Sequence, residues 1–497
     1  MSSDHVPGEL AASGGAGAAV TGRPPAATGG LAAAMDRIGW TRVHWAIALM
    51  VLAGMFFDAL EQDTTGAIIE GLKASFGMDT ADLAFLNTIM IVGGLVGRLA
   101  TGYLADRKGR RYALAFNLLL YTLGGLLSAL APNEFFLQIT RFIVGVGLGG
   151  EFTVGLTLVA EIVATKYRGT VAASLNIGSG GVGNFVAFGL FFIVLGPLNG
   201  VLGGTDTSWR WLFVMLALPA LLVVVIRRYM PESPRFLLSK GRVQEANAAL
   251  TVLASGRLTR HNAPLEVTTY VTEADIPETA HHKVPLRALA TRSSLRRTAA
   301  IGLASWMSFG AQITLLVLMP TILVAQGYSI SDSLAFTMVM NFGSLLGACA
   351  SAYLAGRVGR KVVTIAAAVL GCGAAVAFAS FANGIALILV FGATFQFFAL
   401  LLNTTLAAWS PEIYPTNVRA LGTSIANGIG NVSGAVMPLL AVPVFMAFGV
   451  GGVFIMLAIM YVLLAVSAGF APETLRRSLE DINPEDRATS PLTADHR

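Results

Sequence analysis

The feature that most constrains this chain is a series of twelve apolar stretches, each about as long as a membrane is thick. A bilayer core of about 30 Å takes about 20 helical residues to cross. The stretches lie near 44–66, 81–104, 111–131, 135–160, 170–196, 211–229, 298–325, 332–355, 361–381, 384–408, 419–447 and 450–470. Hydrophobic residues make up 55% of the chain and charged residues only 12%, too few to cover a protein of this size in water. We therefore predict an all-α membrane protein with twelve spans, surrounded by the lipid bilayer.

Basic residues cluster in every second loop between these stretches. Two such loops carry Arg107, Lys108, Arg110 and Arg111 after the second stretch, and Arg357, Arg360 and Lys361 after the eighth. Because short cytoplasmic loops hold most Lys and Arg residues, the pattern places both termini in the cytoplasm. It also accounts for the net charge of +5 without nucleic acid as a partner. We expect a multi-pass protein of the cytoplasmic membrane.

The spans divide into two groups of six with polar segments around them. Residues 1–40, rich in Gly, Ala, Ser and Pro, predict a disordered cytoplasmic tail without a cleaved signal peptide. The first group covers 41–229, and the second covers 298–472. Between them, 230–297 predicts a cytoplasmic linker with one short helix, and 473–497 a second cytoplasmic tail.

Motifs of the first half recur in the second half, in the same order. The stretch YLADRKGRR at Tyr103–Arg111 returns as YLAGRVGRK at Tyr353–Lys361. Likewise EIVATKYR at Glu161–Arg168 returns as EIYPTNVR at Glu412–Arg419. Two six-helix bundles in parallel repeat can rock about a shared midplane cavity, which is the geometry of a secondary transporter. A transporter-like receptor with the same fold remains an alternative.

These motifs resemble those of the major facilitator superfamily. GYLADRKGRR is similar to its loop signature, and RFIVGVGLGG, PESPRFLLSKGR and PEIYPTNVRALG resemble signatures of its sugar-porter-like branches. The likeness covers roughly residues 44–475, and GLGGEF at Gly147–Phe152 is more similar to organic-acid and synaptic-vesicle-protein-like porters. The resemblance implies a monomeric carrier that works by alternating access, without a cofactor or a bound metal. The histidines lie in tails, loops or a span end, and no nucleotide-binding motif appears, so we expect no enzyme activity.

Charged residues at the cytoplasmic ends of the spans are candidates for a gate. Arginine–carboxylate pairs there can latch the helix ends in one state and separate in the other. The candidate gate residues are Asp106, Arg110, Glu161, Arg168, Glu412 and Arg419. Gly356 stands in the second repeat where Asp106 stands in the first, so we expect an asymmetric latch. The alternative is that these charges only reach toward the lipid headgroups.

Three acids in the first span, Asp58, Glu61 and Asp63, lie where a charge needs a partner or a watery cavity. Counting residues along the helices puts Asp63 and Arg141 at similar depth, so this pair is feasible. The resemblance implies that such a carboxylate releases its arginine when protonated, which couples proton entry to substrate binding. We assign proton coupling to Asp63, Arg141 and Asp58. A static ion pair is the alternative, Glu61 is free to face external water, and which acid titrates is open.

A second pair and several amides are candidate substrate contacts. Arg98 and Glu151 lie at matching depths in the inner half, so we predict that they neutralise each other. The amides that we assign with them to substrate binding are Gln312, Asn341, Gln396, Asn403, Asn427 and Asn431. For each amide, a hydrogen bond between helices is an equally good explanation.

The side chains expected of a hexose carrier are missing from the seventh and tenth spans. Met307 and Ser308 replace a glutamine pair, and Ala407 replaces a tryptophan of the family pattern. A cavity with an arginine and a titratable acid suits a small carboxylate imported with a proton. We therefore predict proton-coupled symport of a small organic acid. A sugar carrier, an organic-cation carrier and an uncoupled uniporter are the alternatives.

Overall fold

The apolar stretches fold into long helices, as the sequence predicts. A computed structural model describes residues 30–164, 167, 171, 174–260, 266–276, 292–382, 384–414 and 419–475. The first half contains α1 (Gly30–Ile38), α2 (Arg42–Ala67), α3 (Ile69–Phe76), α4 (Thr80–Lys108), α5 (Arg110–Ala129), α6 (Glu134–Ile162), a π-helical segment (Ile177–Gly183), α7 (Asn184–Leu195), α8 (Thr205–Met215) and α9 (Pro219–Tyr229). The linker contributes α10 (Pro234–Ser239), α11 (Val243–Ser255) and a short 3₁₀ turn (Glu273–Asp275). The second half contains α12 (Arg292–Ala325), α13 (Ile330–Leu354), α14 (Arg360–Phe381), α15 (Ile385–Trp409), a 3₁₀ turn (Ser410–Ile413) and α16 (Arg419–Gly469).

Eleven helical segments in these ranges are long and apolar enough to cross a membrane, one fewer than the predicted spans. The difference lies in α16, whose 51 residues run through both of the last two predicted spans. Gly449 interrupts it with φ 63° and ψ −159°, a conformation outside the helical region. Glycine reaches positive φ without the steric cost that a Cβ atom brings. The chain therefore turns back at Gly449, and the two spans are present as one merged element.

Glycines allow α4 and α6 to pack backbone against backbone. A Cβ atom added to Gly145 would lie 1.9 Å from the carbonyl oxygen of Met90, and one added to Gly149 would lie 1.9 Å from that of Gly94. Small residues at a helix interface are what allow such an approach in lipid, where the hydrophobic effect does not drive helices together. This contact fixes α6, which carries the charged residues of the site.

Substituting Gly149 with alanine is expected to destabilise the protein by about 1–3 kcal/mol, because the neighbour of the new methyl group is backbone that cannot turn away. Thermal unfolding of the detergent-solubilised protein measures the loss. Gly102→Ala is the matched control, since this glycine lies in α4 and nothing lies within 4 Å of its added Cβ. Equal unfolding temperatures for the two variants would contradict the close contact.

Direct contacts join the two halves at the end of the bundles away from the Arg107–Arg111 loop. A Cβ atom added to Gly66, near the end of α2, would lie 2.6 Å from the carbonyl oxygen of Leu316 in α12. Near the start of α4, the Asn87 side chain donates to the carbonyl of Gly434 in α16 (3.1 Å). The halves are therefore packed together at this end.

Candidate functional site

A buried ion pair joins the first and fourth spans of the N-terminal half. Arg141 Nη1 of α6 lies 2.6 Å from Glu61 Oε1 of α2, and each side chain is 1% exposed. The same guanidinium donates to Ser128 Oγ of α5 from Nε (3.2 Å) and Nη2 (2.9 Å). Its carbon lies 4.3 Å from the centre of the Phe213 ring of α8. Arg141 thus ties four helices together at one point.

The prediction that Asp63 pairs with Arg141 is wrong, because the carboxylate that contacts Arg141 belongs to Glu61. Depth along the helix could not separate the candidates, because Glu61 and Asp63 differ by only about 3 Å of rise. Helical phase does separate them, since residues two apart lie on nearly opposite faces. Glu61 is buried against the arginine and does not face external water.

The sequence did contain a signal for Glu61. Asp58 and Glu61 are three residues apart and share one face of α2, whereas Asp63 lies on another face. Asp63 is only 4% exposed, and its Oδ2 atom has no hydrogen-bond partner among the described residues. A role for Asp63 in proton coupling stays a prediction.

The predicted neutralisation of Arg98 by Glu151 is also wrong. Arg98 Nε donates to the carbonyl of Gly149 (3.1 Å), and Nη2 donates to Asn431 Oδ1 of α16 (2.9 Å). The Glu151 carboxyl instead lies against Gly54 of α2, within reach of the Asp58 side chain. The depths match as expected, but Arg98 reaches toward the C-terminal half while Glu151 points into its own bundle.

Arg98 and Asn431 form a polar contact between the two halves. Asn431 Nδ2 in turn donates to the carbonyl of Asn427 (2.7 Å), whose side chain is exposed. Both Arg98 and Asn431 are half-buried. These three predicted substrate contacts therefore lie together where the bundles meet.

The remaining predicted amides are bonded within the C-terminal half. Asn403 Nδ2 of α15 donates to Gln312 Oε1 of α12, and Ser308 Oγ donates to Asn403 Oδ1 (2.8 Å). Asn341 and Gln396, both almost fully buried, share Ser344 between α13 and α15. The bonds of Gln312, Asn403 and Gln396 join different helices, the alternative that the sequence left open. Asn341 instead bonds Thr337 and Ser344 of its own helix. The placement of Asn341 and Gln396 counts against substrate contact.

The predicted gate residues lie in two similar clusters, one in each half. Arg110 contacts Glu161 through Nε (3.0 Å) and Asp106 through Nη1 (3.2 Å). In the second half, Arg360 contacts Glu412 (3.2 Å). Arg168 lies outside the described residues. The side chain of Arg419 also lies outside them, so its part in the latch stays a prediction.

Sequence reasoning missed one carboxylate in each cluster. Glu232 Oε1 accepts the backbone N–H of Arg110 (2.9 Å), and Glu473 Oε1 accepts that of Arg360 (2.9 Å). Burial raises the pKa of Glu232, and hydrogen bonds from backbone N–H groups oppose this shift. The signal was the recurrence of PES at Pro231 as PET at Pro472. The glutamates of these motifs bind the first residues of α5 and α14.

Comparison with known proteins identifies the family. The family model described as "Sugar (and other) transporter" matches residues 39–485. This chain belongs to that family. It is a multi-pass transporter of the plasma membrane and not an enzyme. A similar protein is the niacin transporter NiaP of Acinetobacter baylyi, with 31% identity over 445 residues, which cover 89% of this chain and 97% of the relative. The D-xylose transporter of Levilactobacillus brevis is 28% identical over 455 residues, covering 88% and 94%.

Solved structures of similar fold confirm the architecture. The partially occluded inward-open form of the Escherichia coli xylose transporter XylE matches with a TM-score of 0.68 and 18% identity, over 88% of this chain and 99% of that one. The XylE structure with bound 6-bromo-6-deoxy-D-glucose has a TM-score of 0.68 and 20% identity, over 89% and 98%. The sugar transporter family member described here therefore has the major facilitator fold that its sequence predicts.

Proposed function

We propose that this protein is a proton-coupled symporter of a small organic acid. The observation that carries the proposal is the pair of Glu61 and Arg141, both 1% exposed. Two buried charges persist only while each compensates the other, because their desolvation costs several kcal/mol per ion. A proton on Glu61 cancels its charge and releases the guanidinium from its strongest contact. Proton binding is thereby linked to the packing of α2, α5, α6 and α8 around Arg141.

The organic acid is supported by a cationic group at the interface of the halves. Arg98 reaches Asn431 of the other half there, beside the exposed Asn427. A guanidinium binds a carboxylate through two parallel N–H bonds, and amides add neutral donors. The relative with 31% identity is a niacin transporter, and niacin is a pyridine carboxylic acid. We assign the substrate carboxylate to Arg98, Asn427 and Asn431.

A neutral sugar is the second candidate substrate. It is favoured by the D-xylose transporter that matches over most of this chain, and by the amide cluster of Gln312 and Asn403. Amides bind hydroxyl groups without needing a charge on the ligand.

Uptake into proteoliposomes tests the proposal. The substrates are labelled nicotinate, benzoate, D-xylose and a quaternary ammonium ion, each with and without an inside-alkaline pH gradient. We expect the two acids to accumulate only with the gradient. Arg98→Gln should lower the affinity for the acids by about tenfold or more, since a charge-assisted hydrogen bond contributes about 1.5–3 kcal/mol. Uptake of an acid that ignores the gradient would indicate uniport, and accumulation of xylose alone would favour the sugar.

A further inference from the structure

A second pair of acids lies in the N-terminal bundle, and here carboxyl meets carboxyl. The side chains of Asp58 in α2 and Glu151 in α6 are close enough to interact through a hydrogen bond. Gly54, one turn before Asp58, makes room for the contact. A Cβ atom added to Gly54 would lie 2.0 Å from Glu151 Oε1, so any larger residue would push the carboxyl away.

Two ionised carboxylates cannot form this hydrogen bond, because each is only an acceptor. Adjacent like charges in a buried site also repel strongly, and such pairs retain one proton between them. Because the Glu151 carboxyl lies against α2 one turn from Asp58, a proton on one of the two acids is the arrangement that stabilises both.

Among the described residues, no cation forms an ion pair with either acid. The Arg141 guanidinium of α6 donates to Glu61 of α2, which also faces the pair. On α4, the Arg98 guanidinium is bonded to Gly149 and Asn431. The π-helical segment, which packs against α2, has no titratable side chain.

One further polar group faces the pair from α5. Tyr121 is 1% exposed, and its hydroxyl has no hydrogen-bond partner among the residues that the structure describes. It lies within electrostatic range of both acids. Asp58 Oδ1 and Glu151 Oε2 are likewise buried without partners. These three atoms are free to accept or donate hydrogen bonds as the proton moves between the acids.

We propose that Asp58 and Glu151 share one proton and form a second proton site, separate from Glu61 and Arg141. The site lies inside the N-terminal bundle and against Gly54 of α2. Loading it moves one proton from water to a carboxyl oxygen and changes the charge of the pair by one unit. The role of the pair in transport rests on the proposed function: the proton on Glu61 is the one coupled to substrate, and the pair holds a further proton beside it.

Infrared difference spectroscopy of the purified full-length protein tests the proposal without relying on transport. The measured signal is the pH-dependent carbonyl stretch of protonated carboxyl groups in wild type, Asp58→Asn, Glu151→Gln and the double variant. Each amide can donate to the remaining carboxylate in place of the shared proton. We therefore expect each single variant to remove the same band and the double variant to remove no more.

Other outcomes would overturn the shared proton. If the two acids bind protons independently, each single variant will lose half of the band and the double variant will lose all of it. If both acids are ionised, no variant will lose any signal. If the pair holds Na⁺, the wild-type protein will gain a band when Na⁺ is withdrawn. Gly54→Ala is the backup variant if an amide variant does not fold. It keeps both acids but should shift the band, and an unchanged band would contradict the contact.

If both single variants remove the same band but uptake does not depend on pH, only the proposed function is refuted.

Discussion

Replacing Arg141 with methionine is expected to destabilise the protein by about 3–5 kcal/mol, because it leaves the Glu61 carboxylate buried without its cation. Transport should be lost as well, since the guanidinium holds α5 and α8 in addition to α2. Thermal unfolding in detergent, together with uptake in proteoliposomes, measures both effects.

The double variant Glu61→Gln with Arg141→Met separates the charge from the packing. It removes both charges, so most of the lost stability should return while coupling does not. Arg242→Met is the control for arginine loss. Arg242 pairs with Glu245, but both side chains are about half exposed, so we expect a change of only about 0–1 kcal/mol. If the double variant were destabilised as much as Arg141→Met alone, the unpaired Glu61 charge would not be the cause of the loss.

The second large effect is expected from Glu61→Gln. The glutamine carbonyl can still accept from Arg141, but the side chain cannot gain or lose a proton near neutral pH. Wild-type protein should accumulate its substrate about tenfold per unit of imposed pH gradient for each coupled proton, since one unit corresponds to about 1.4 kcal/mol. The variant should accumulate none and should still exchange labelled for unlabelled substrate across the membrane.

Asp63→Asn is the matched control, because it removes another buried acid of the same helix that has no arginine partner in the described structure. We expect this variant to keep accumulation. The reverse result, with accumulation lost in Asp63→Asn and retained in Glu61→Gln, would return the coupling role to Asp63.

The sequence predicted the fold because its signals are one-dimensional. Apolar length sets the spans, basic loops alternate between them, and the motif at Tyr103–Arg111 returns at Tyr353–Lys361. Each of these can be read by counting residues along the chain. The eleven helical segments agree with the twelve predicted spans, because the last segment contains two spans that meet at Gly449.

The partners of buried charges could not be found by the same counting. Residue numbers give the depth of a side chain but not the direction in which the helix presents it. Arg98 of α4 and Glu151 of α6 lie at matching depth, but their side chains point in different directions. Arg98 bonds Gly149 and Asn431, and Glu151 lies beside Asp58 of α2. Glu61 and Asp63 lie at nearly the same depth as Arg141, and only Glu61 is on the face of α2 that contacts this arginine.

We expect substrate and proton to move together through this protein. Proteoliposomes that contain a pH-sensitive dye measure it directly when a gradient of nicotinate is imposed at equal pH on both sides. We predict that substrate entry acidifies the lumen in the wild type and that Glu61→Gln vesicles show no acidification. Entry of substrate into wild-type vesicles with no change in internal pH would contradict the account.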